Sequence, residues 1–148
     1  SESSLSEACC PTTEWSHEPP VADDGVVIWR AWHRAGTGTH KTLRWDGTLQ
    51  DLTATHGLNI SPNASYQAGF LAWDYGGDGS EVVLWDGATI QTVASGYDPD
   101  VHAGKIAFRQ FDGHDWEILY WDGENVLEIT DNGSPSLKAY RRMIINVN

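Results

Sequence analysis

An all-β fold of repeated four-stranded sheets is predicted by three observations on the 148-residue sequence. The tripeptide Trp-Asp-Gly occurs at residues 45–47, 85–87 and 121–123, with spacings of 40 and 36 residues. Short alternating runs flank each copy, which is the pattern of a β-hairpin. No segment carries a sustained 3.6-residue period, so we expect little or no helix. Four strands recurring about every 40 residues are typical of the blades of a β-propeller.

The composition narrows the class of protein and the partners it can have. The formal net charge is −12, which argues against nucleic acid and against an anionic membrane surface as partners. Hydrophobic residues make up 40% of the chain, enough for a packed core, yet no apolar run approaches the length of a membrane helix. Because the only methionine is Met143, we expect a processed, secreted or cell-surface chain.

Each predicted unit contains the same succession of strands. A strand that ends in Trp-Asp-Gly is followed by a second strand, as at residues 88–93 and 125–130. An apolar strand precedes each hairpin, at 25–29, 69–73 and 104–108. A polar stretch comes before the glycine of each apolar strand, at 21–24, 66–68 and 101–103. We interpret the apolar strand as the inner strand, which lines the propeller axis, and the polar stretch as the outer one.

At these residues the sequence resembles TolB-like and WD40-like propeller repeats. The run from Asp98 to Phe108 is similar to the junction between outer and inner strands in TolB-like blades. The resemblance covers about residues 18–148 and implies the propeller architecture. Two departures are expected: a Gly-His pair of WD40 blades is missing, and Trp-Asp closes the second strand of each unit instead of the third. The resemblance therefore implies no functional residues.

Three complete blades are fewer than the four to eight that close a propeller. We expect a fourth blade from the chain termini, with strands at 5–10 and 143–147 and an outer strand at 20–23 that lacks an inner partner. This blade closes either within one chain or between neighbouring chains, which would give a homo-oligomer. We therefore divide the chain into an N-terminal docking or assembly segment, 1–20, and a propeller domain, 21–148.

The N-terminal segment holds both cysteines, Cys9 and Cys10, and three of the six prolines. Adjacent cysteines cannot join distant segments of one chain. A strained disulfide between the two, bonds to other chains and the reduced state all remain open, and an oxidised state is favoured.

Candidate metal ligands lie in two loops rich in Asp and Gly. A calcium site needs several oxygen ligands, and each loop offers three carboxylates. The alternative is a turn in which Asp and Gly supply the unusual backbone angles. No other cofactor is indicated, and a metal site at His33 and His40 is the weaker hypothesis. The candidate calcium ligands are Asp74, Asp78 and Glu81 in one loop, and Asp112, Asp115 and Glu117 in the other.

The eight tryptophans suggest sugar stacking, but five of them recur at two positions of the repeat, as packing between blades requires. Trp85 is one of these, and we expect it to be buried. Trp15, Trp32 and Trp116 lie outside the pattern and are the candidates for surface binding.

Three functions compete. The first is an exported, non-catalytic propeller that assembles into a multimer or filament through its terminal strands. The second is a lectin-like module that binds carbohydrate or protein. The third is an enzyme, which is least favoured because the sequence contains no nucleophile elbow, phosphate-binding loop or zinc-protease motif.

Overall fold

The protein is all-β in the residues that the structure, a computed structural model, describes, namely 10–11 and 13–130. This part of the chain contains three sheets and one helix of five residues, and no helix there is long and apolar enough to cross a membrane. The three predicted four-stranded blades are thus confirmed. Of the predicted terminal strands at 5–10 and 143–147, residues 5–9 and 143–147 lie outside the described residues, and Cys10 is not part of a strand. The chain divides into two compact units, residues 1–62 and 63–148.

The first unit holds one sheet, in the order β1-β3-β4-β5, with β2 also paired to β3. Strands β1 and β2 follow one another along the same edge of β3, on either side of Pro19 and Pro20. Because prolines have no N–H to donate to a ladder, they fit this interruption of an edge strand. The strands are β1 (Trp15–His17), β2 (Val21–Asp23), β3 (Val26–His33), β4 (His40–Trp45) and β5 (Leu49–Asp51).

The helix α1 (Leu52–His56) follows β5 directly. The Asp51 side chain accepts a hydrogen bond from the Ala54 N–H (3.0 Å) and so caps the first turn. Gly57, with φ of 70°, ends the helix in the left-handed conformation that glycine adopts without strain.

The second unit holds two four-stranded sheets, which we call the second and third sheets of the protein. Each is a meander in chain order. Apolar side chains of both sheets pack into one core cluster, which includes Val82, Leu84, Phe108 and Trp121. The second sheet consists of β6 (Ser65–Gln67), β7 (Phe70–Asp74), β8 (Glu81–Trp85) and β9 (Ile90–Ser95). The third consists of β10 (Tyr97–His102), β11 (Lys105–Phe111), β12 (Trp116–Trp121) and β13 (Val126–Glu128).

The polar stretch before each apolar strand is the first strand of the same sheet, not the outer strand of the preceding blade. Asp24-Gly25, Ala68-Gly69 and Ala103-Gly104 all have positive φ at both residues, as a two-residue type I′ hairpin turn requires. The polar and apolar strands are therefore paired across a tight turn. The Trp-Asp-Gly strand is consequently third in its sheet, so the expected departure from WD40 blades was wrong. The stretch 20–23 has a partner, since β2 pairs with β3.

The apolar strands β7 and β11 lie second in their sheets, so their predicted place at the inner edge was also wrong. It is the first strands of the second and third sheets that meet. The Ser65 hydroxyl donates to Asp100 (3.0 Å) and accepts from the Val101 N–H (3.1 Å). The side-chain Oε1 of Gln67 accepts from the Ala103 N–H (2.5 Å). Side chains of β6, the first strand of the second sheet, thus accept hydrogen bonds from backbone N–H groups of β10, the first strand of the third sheet.

The aspartate of each Trp-Asp-Gly copy holds its hairpin turn. Asp86 accepts hydrogen bonds from the N–H groups of Ala88 (2.9 Å) and Thr89 (2.7 Å), and Asp122 bonds to its own turn in the same way. These bonds favour the ionised carboxylate, so they lower the pKa of both aspartates. For Asp46 the hydrogen bond from Arg44 is the main cause of the lowered pKa.

The three turn aspartates predict acid sensitivity. A carboxylate whose folded pKa is lowered adds stability that is present above its unfolded pKa, about 3.9, and is lost as the pH falls through the folded pKa. We expect the triple variant Asp46→Asn, Asp86→Asn, Asp122→Asn to show a flatter fall in unfolding free energy below about pH 4 than the wild type. Urea denaturation from pH 6 to pH 2 measures this, with Asp78→Asn as the control. Equal slopes for the triple variant and the wild type would refute the role of these turns.

Candidate functional site

A cavity of about 250 Å³ lies between the second and third sheets, both within the second unit. None of its lining side chains is a carboxylate, an amine, a guanidinium or an imidazole. Its lining combines an aromatic wall with hydroxyl and amide groups. The lining residues are Gly79, Ser80, Ser95, Gly96, Tyr97, Gln110 and Phe111.

Hydrogen bonds between the two sheets, and one within the loop between β7 and β8, hold this cavity in shape. The Gly96 N–H donates to the Ser80 carbonyl (2.9 Å), and the Ser80 hydroxyl accepts from the Gly76 N–H (2.9 Å). The Gln110 amide donates to the Ser95 carbonyl (2.9 Å), and the Tyr97 hydroxyl donates to the Gly77 carbonyl (2.9 Å). Gly96 joins β9 to β10, so the connection between the sheets is itself part of the cavity wall.

A cluster of aromatic side chains consists of two residues of the cavity lining, Tyr97 and Phe111, and their neighbour Trp116. Trp116 meets Tyr97 edge-on, with 5.3 Å between ring centroids, and Phe111 at 5.6 Å in a tilted arrangement. The Arg109 guanidinium lies 4.2 Å from the centre of the Trp116 ring and also pairs with Asp98. Phe111 and Trp116 remain 50% and 45% exposed, so apolar ring surface faces solvent here. We refer to Tyr97, Phe111 and Trp116 as the aromatic rim.

The other two candidate tryptophans have different surroundings. Trp15 is buried in the core of the first unit, where its ring packs edge-on against His33 at 5.1 Å. The hypothesis that Trp15 offers a surface contact was therefore wrong: β1 pairs with β3, and this pairing places the ring in the core. Trp32 is 37% exposed on β3 and stands in register with His40 of β4.

Three of the six candidate calcium ligands come together. One oxygen each of Asp112, Asp115 and Glu117 lies within 4.8 Å of the others. Glu117 is buried and accepts a hydrogen bond from the Thr130 hydroxyl (2.6 Å). Loss of solvation, followed by the negative charge of Glu117, raises the pKa of the Asp115 carboxyl. The triad follows β11 and begins next to Phe111 of the aromatic rim. Calcium binding there stays a prediction.

The other three candidates are not brought together. Asp74 is buried, and its carboxylate accepts a hydrogen bond from the Asp98 N–H (2.6 Å). Asp78 and Glu81 are exposed. Among the residues that the structure describes, no grouping of metal-ligating side chains includes these three, His33 or His40. The Asp74 carboxylate thus stabilises the backbone at the start of the third sheet.

The cysteine pair is only half described. Cys10 is buried in the core of the first unit with Trp15, Ala31 and Leu43, and its carbonyl is bonded to the His17 ring (3.0 Å). Cys9 lies outside the described residues, so the predicted oxidised state stays a prediction. Residues 15–17 of the proposed docking segment form β1 of the first sheet, and residues 1–9 lie outside the described part.

No protein-family model and no curated protein sequence matches the chain. Two solved structures from archaea share its fold. The β-propeller domain of the trilobed protease from Pyrococcus furiosus, which has an open velcro topology, aligns with a TM-score of 0.62 and 18% identity. The alignment covers 82% of this chain and 41% of that one. The acylaminoacyl peptidase of Pyrococcus horikoshii aligns with a TM-score of 0.60 and 16% identity, over 84% of this chain and 21% of that one.

The alignments bear out the propeller fold and nothing finer, because both identities are low. The chain spans less than half the length of either protein. The two neighbours are peptidases by name, and a propeller domain is not by itself the catalytic part of an enzyme. The chain is a β-propeller domain.

Proposed function

We propose that this chain is a non-catalytic, TolB-like propeller module that binds a neutral carbohydrate at the cavity between its second and third sheets. The observation that carries the proposal is the combination of an uncharged polar cavity with exposed aromatic rings beside it. Aromatic faces pack against the apolar faces of sugar rings, and hydroxyl and amide groups exchange hydrogen bonds with sugar hydroxyls.

The size and charge of the cavity favour this class of ligand. A volume of about 250 Å³ is below the usual range of roughly 300–1,000 Å³ for drug-sized ligands, which suits one sugar ring better than a long chain. The net charge of −12 disfavours acidic sugars and nucleotides, since their approach would be repelled. Arg109 is already engaged by Asp98 and by the Trp116 ring.

The non-catalytic part of the proposal rests on the lining of the cavity. A hydrolase of the serine type needs a nucleophile within hydrogen-bond reach of a general base. No histidine lines this cavity, and the hydroxyl of Ser80 is held by the Gly76 N–H. The lining therefore offers binding groups without an activated nucleophile.

A second candidate function is an exported subunit that assembles into a multimer or filament. It is favoured by the number of blades: the described residues form three, and closed propellers have four to eight. Its terminal strands fall mainly in residues 1–9 and 131–148, so assembly through them stays a proposal.

The carbohydrate proposal predicts that Trp116→Ala weakens sugar binding about tenfold or more, because loss of one stacked ring removes on the order of 1.4 kcal/mol. Isothermal titration calorimetry with a panel of neutral mono- and disaccharides measures this. Trp32→Ala, a change of the same size on the first sheet, is the matched control and should bind like the wild type. No binding across the panel, or equal losses in both variants, would overturn the proposal.

A further inference from the structure

The Ser80 hydroxyl is a hydrogen-bond donor that the protein leaves for a ligand of the cavity. Its oxygen accepts from the Gly76 N–H (2.9 Å), so the hydroxyl hydrogen remains to be donated. Among the residues that the structure describes, no acceptor takes this hydrogen. Ser80 is 3% exposed and lines the cavity, so a ligand in the cavity is the group best placed to satisfy it.

Gln110 supplies the complementary group, a hydrogen-bond acceptor. Its Nε2 donates to the Ser95 carbonyl oxygen (2.9 Å), and a carbonyl oxygen can only accept, so this bond fixes the orientation of the side-chain amide. The other end of the amide is the Oε1 atom, and no donor binds to it within the described part of the chain. The cavity lining therefore contains one unused hydroxyl donor and one unused amide acceptor.

The rest of the lining adds few polar side-chain groups. The Tyr97 hydroxyl donates its hydrogen to the Gly77 carbonyl (2.9 Å), so only its oxygen is left to accept. The two lining glycines have no side chain, Phe111 contributes an apolar ring, and Ser95 adds one further hydroxyl. A hexose ring buried here would bring several hydroxyl groups into this small cavity, and each one left without a partner would cost free energy. The lining therefore favours one substituent that combines a donor, an acceptor and an apolar part.

We propose that the cavity takes the acetamido group of an N-acetylated amino sugar. The inference rests on the proposed carbohydrate-binding function and names the class of sugar. The acetamido oxygen accepts from the Ser80 hydroxyl, the acetamido N–H donates to Oε1 of Gln110, and the methyl group packs against Phe111. The N–H and C=O groups of a planar trans amide point in opposite directions. The two partners come from different sheets, since Ser80 precedes β8 and Gln110 lies on β11.

Neither a hydroxyl nor a free amine fills this place as well as the acetamido group. A sugar hydroxyl can also donate and accept, but both bonds then converge on one oxygen atom and the methyl contact with Phe111 is lost. An amine would carry a positive charge into a cavity that has no carboxylate in its lining. With the acetamido group in the cavity, the sugar ring lies at the mouth and stacks on Trp116, which is 45% exposed.

Isothermal titration calorimetry with two pairs of sugars tests the proposal: N-acetylglucosamine against glucose, and N-acetylgalactosamine against galactose. The members of each pair differ only in the acetamido or hydroxyl group at carbon 2. In the pair that binds more tightly, we expect the N-acetylated sugar to bind at least about tenfold better, a difference of about 1.4 kcal/mol. Equal affinities within that pair would overturn this inference and leave the proposed function standing. No binding by any of the four sugars would also overturn it, and the proposed function falls with it only if the other neutral sugars fail to bind.

A pair of matched variants assigns the preference to the cavity. Ser80→Ala removes the donor, so the affinity advantage of the N-acetylated sugar over its hydroxyl counterpart should fall to about threefold or less. Ser16→Ala, the same change on β1 of the first sheet, should keep the wild-type advantage. An unchanged advantage in Ser80→Ala would contradict the assignment. If loss of the bond to Gly76 unfolds Ser80→Ala, Gln110→Met, which removes the acceptor, replaces it with the same expected result.

Discussion

Replacing Trp85 by alanine is expected to lower the unfolding free energy by roughly 3–5 kcal/mol, the usual loss for a large buried aromatic residue. Trp85 ends β8 and is 5% exposed, so its predicted burial is confirmed. Its cross-strand partners, Leu71 on β7 and Ile90 on β9, hold the ring in a fixed register. Truncation would leave a cavity that neighbouring strands cannot close without breaking their ladders.

Guanidinium denaturation measures this loss, and Trp116→Ala provides a control with the same atoms removed. Because Trp116 is 45% exposed, its truncation should lower the unfolding free energy by about 1 kcal/mol or less. Similar losses in the two variants would show that burial in the second sheet does not determine the stability contributed by the repeated tryptophans.

The substitution Gly96→Ala is expected to destabilise the protein by about 1–3 kcal/mol through overpacking. A Cβ atom at this position would stand 2.5 Å from the Phe108 ring and 2.9 Å from the Arg109 carbonyl oxygen. Phe108 is 2% exposed in the core, so its ring has little space into which it can move. Glycine is thus required at position 96 because the chain passes close to Phe108 and Arg109. An unusual backbone angle is not the reason.

The same denaturation experiment tests this prediction, with a second substitution as the control. Gly96→Ala combined with Phe108→Leu should be less unstable than the sum of the two single variants, because the smaller side chain removes the clash. A Gly96→Ala protein as stable as the wild type would mean that the link between the sheets can accommodate a Cβ atom, which would contradict the close packing against Phe108.

The repeat could be predicted from the sequence because its signal is chemical as well as periodic. Trp-Asp-Gly demands a turn with positive φ at glycine, and Gly47, Gly87 and Gly123 all have it. The carboxylate accepts backbone hydrogen bonds in each of the three turns. Positions that have the same structural role in every blade are therefore occupied by the same residue type.

The position of the first strand was not predictable in the same way. Ala68 and Ala103 adopt φ of 52° and 49°, which alanine rarely does, so the Ala-Gly turns lacked the usual Asn-Gly or Asp-Gly signature. Asp24-Gly25 does have that signature, and it is the one of the three turns from which the hairpin between the polar and the apolar strand could have been predicted. Without these turns, a short polar strand is easily assigned to the wrong blade.

The candidate site was only partly predictable, since its members are distant in sequence. Trp116 was identified because it breaks the tryptophan repeat, and its neighbour Phe111 sits opposite it in the ladder between β11 and β12. Ser80 and Gln110 carry no sequence signal of binding, because serine and glutamine are common in loops and on edges. The two acidic loops have similar compositions, but only one forms a triad, since Asp74 is bonded to the Asp98 N–H.

The tryptophan side-chain N–H resonances of the ¹⁵N-labelled protein provide the most direct test of carbohydrate binding at the cavity. All eight tryptophans fall within the described residues, so each signal reports on a known place. During titration with the tightest neutral sugar, we expect the Trp116 resonance to shift in proportion to saturation, and those of Trp32 and Trp15 to stay fixed. A saturable shift at Trp32 with Trp116 unmoved, or no shift at any tryptophan, would contradict the proposed site.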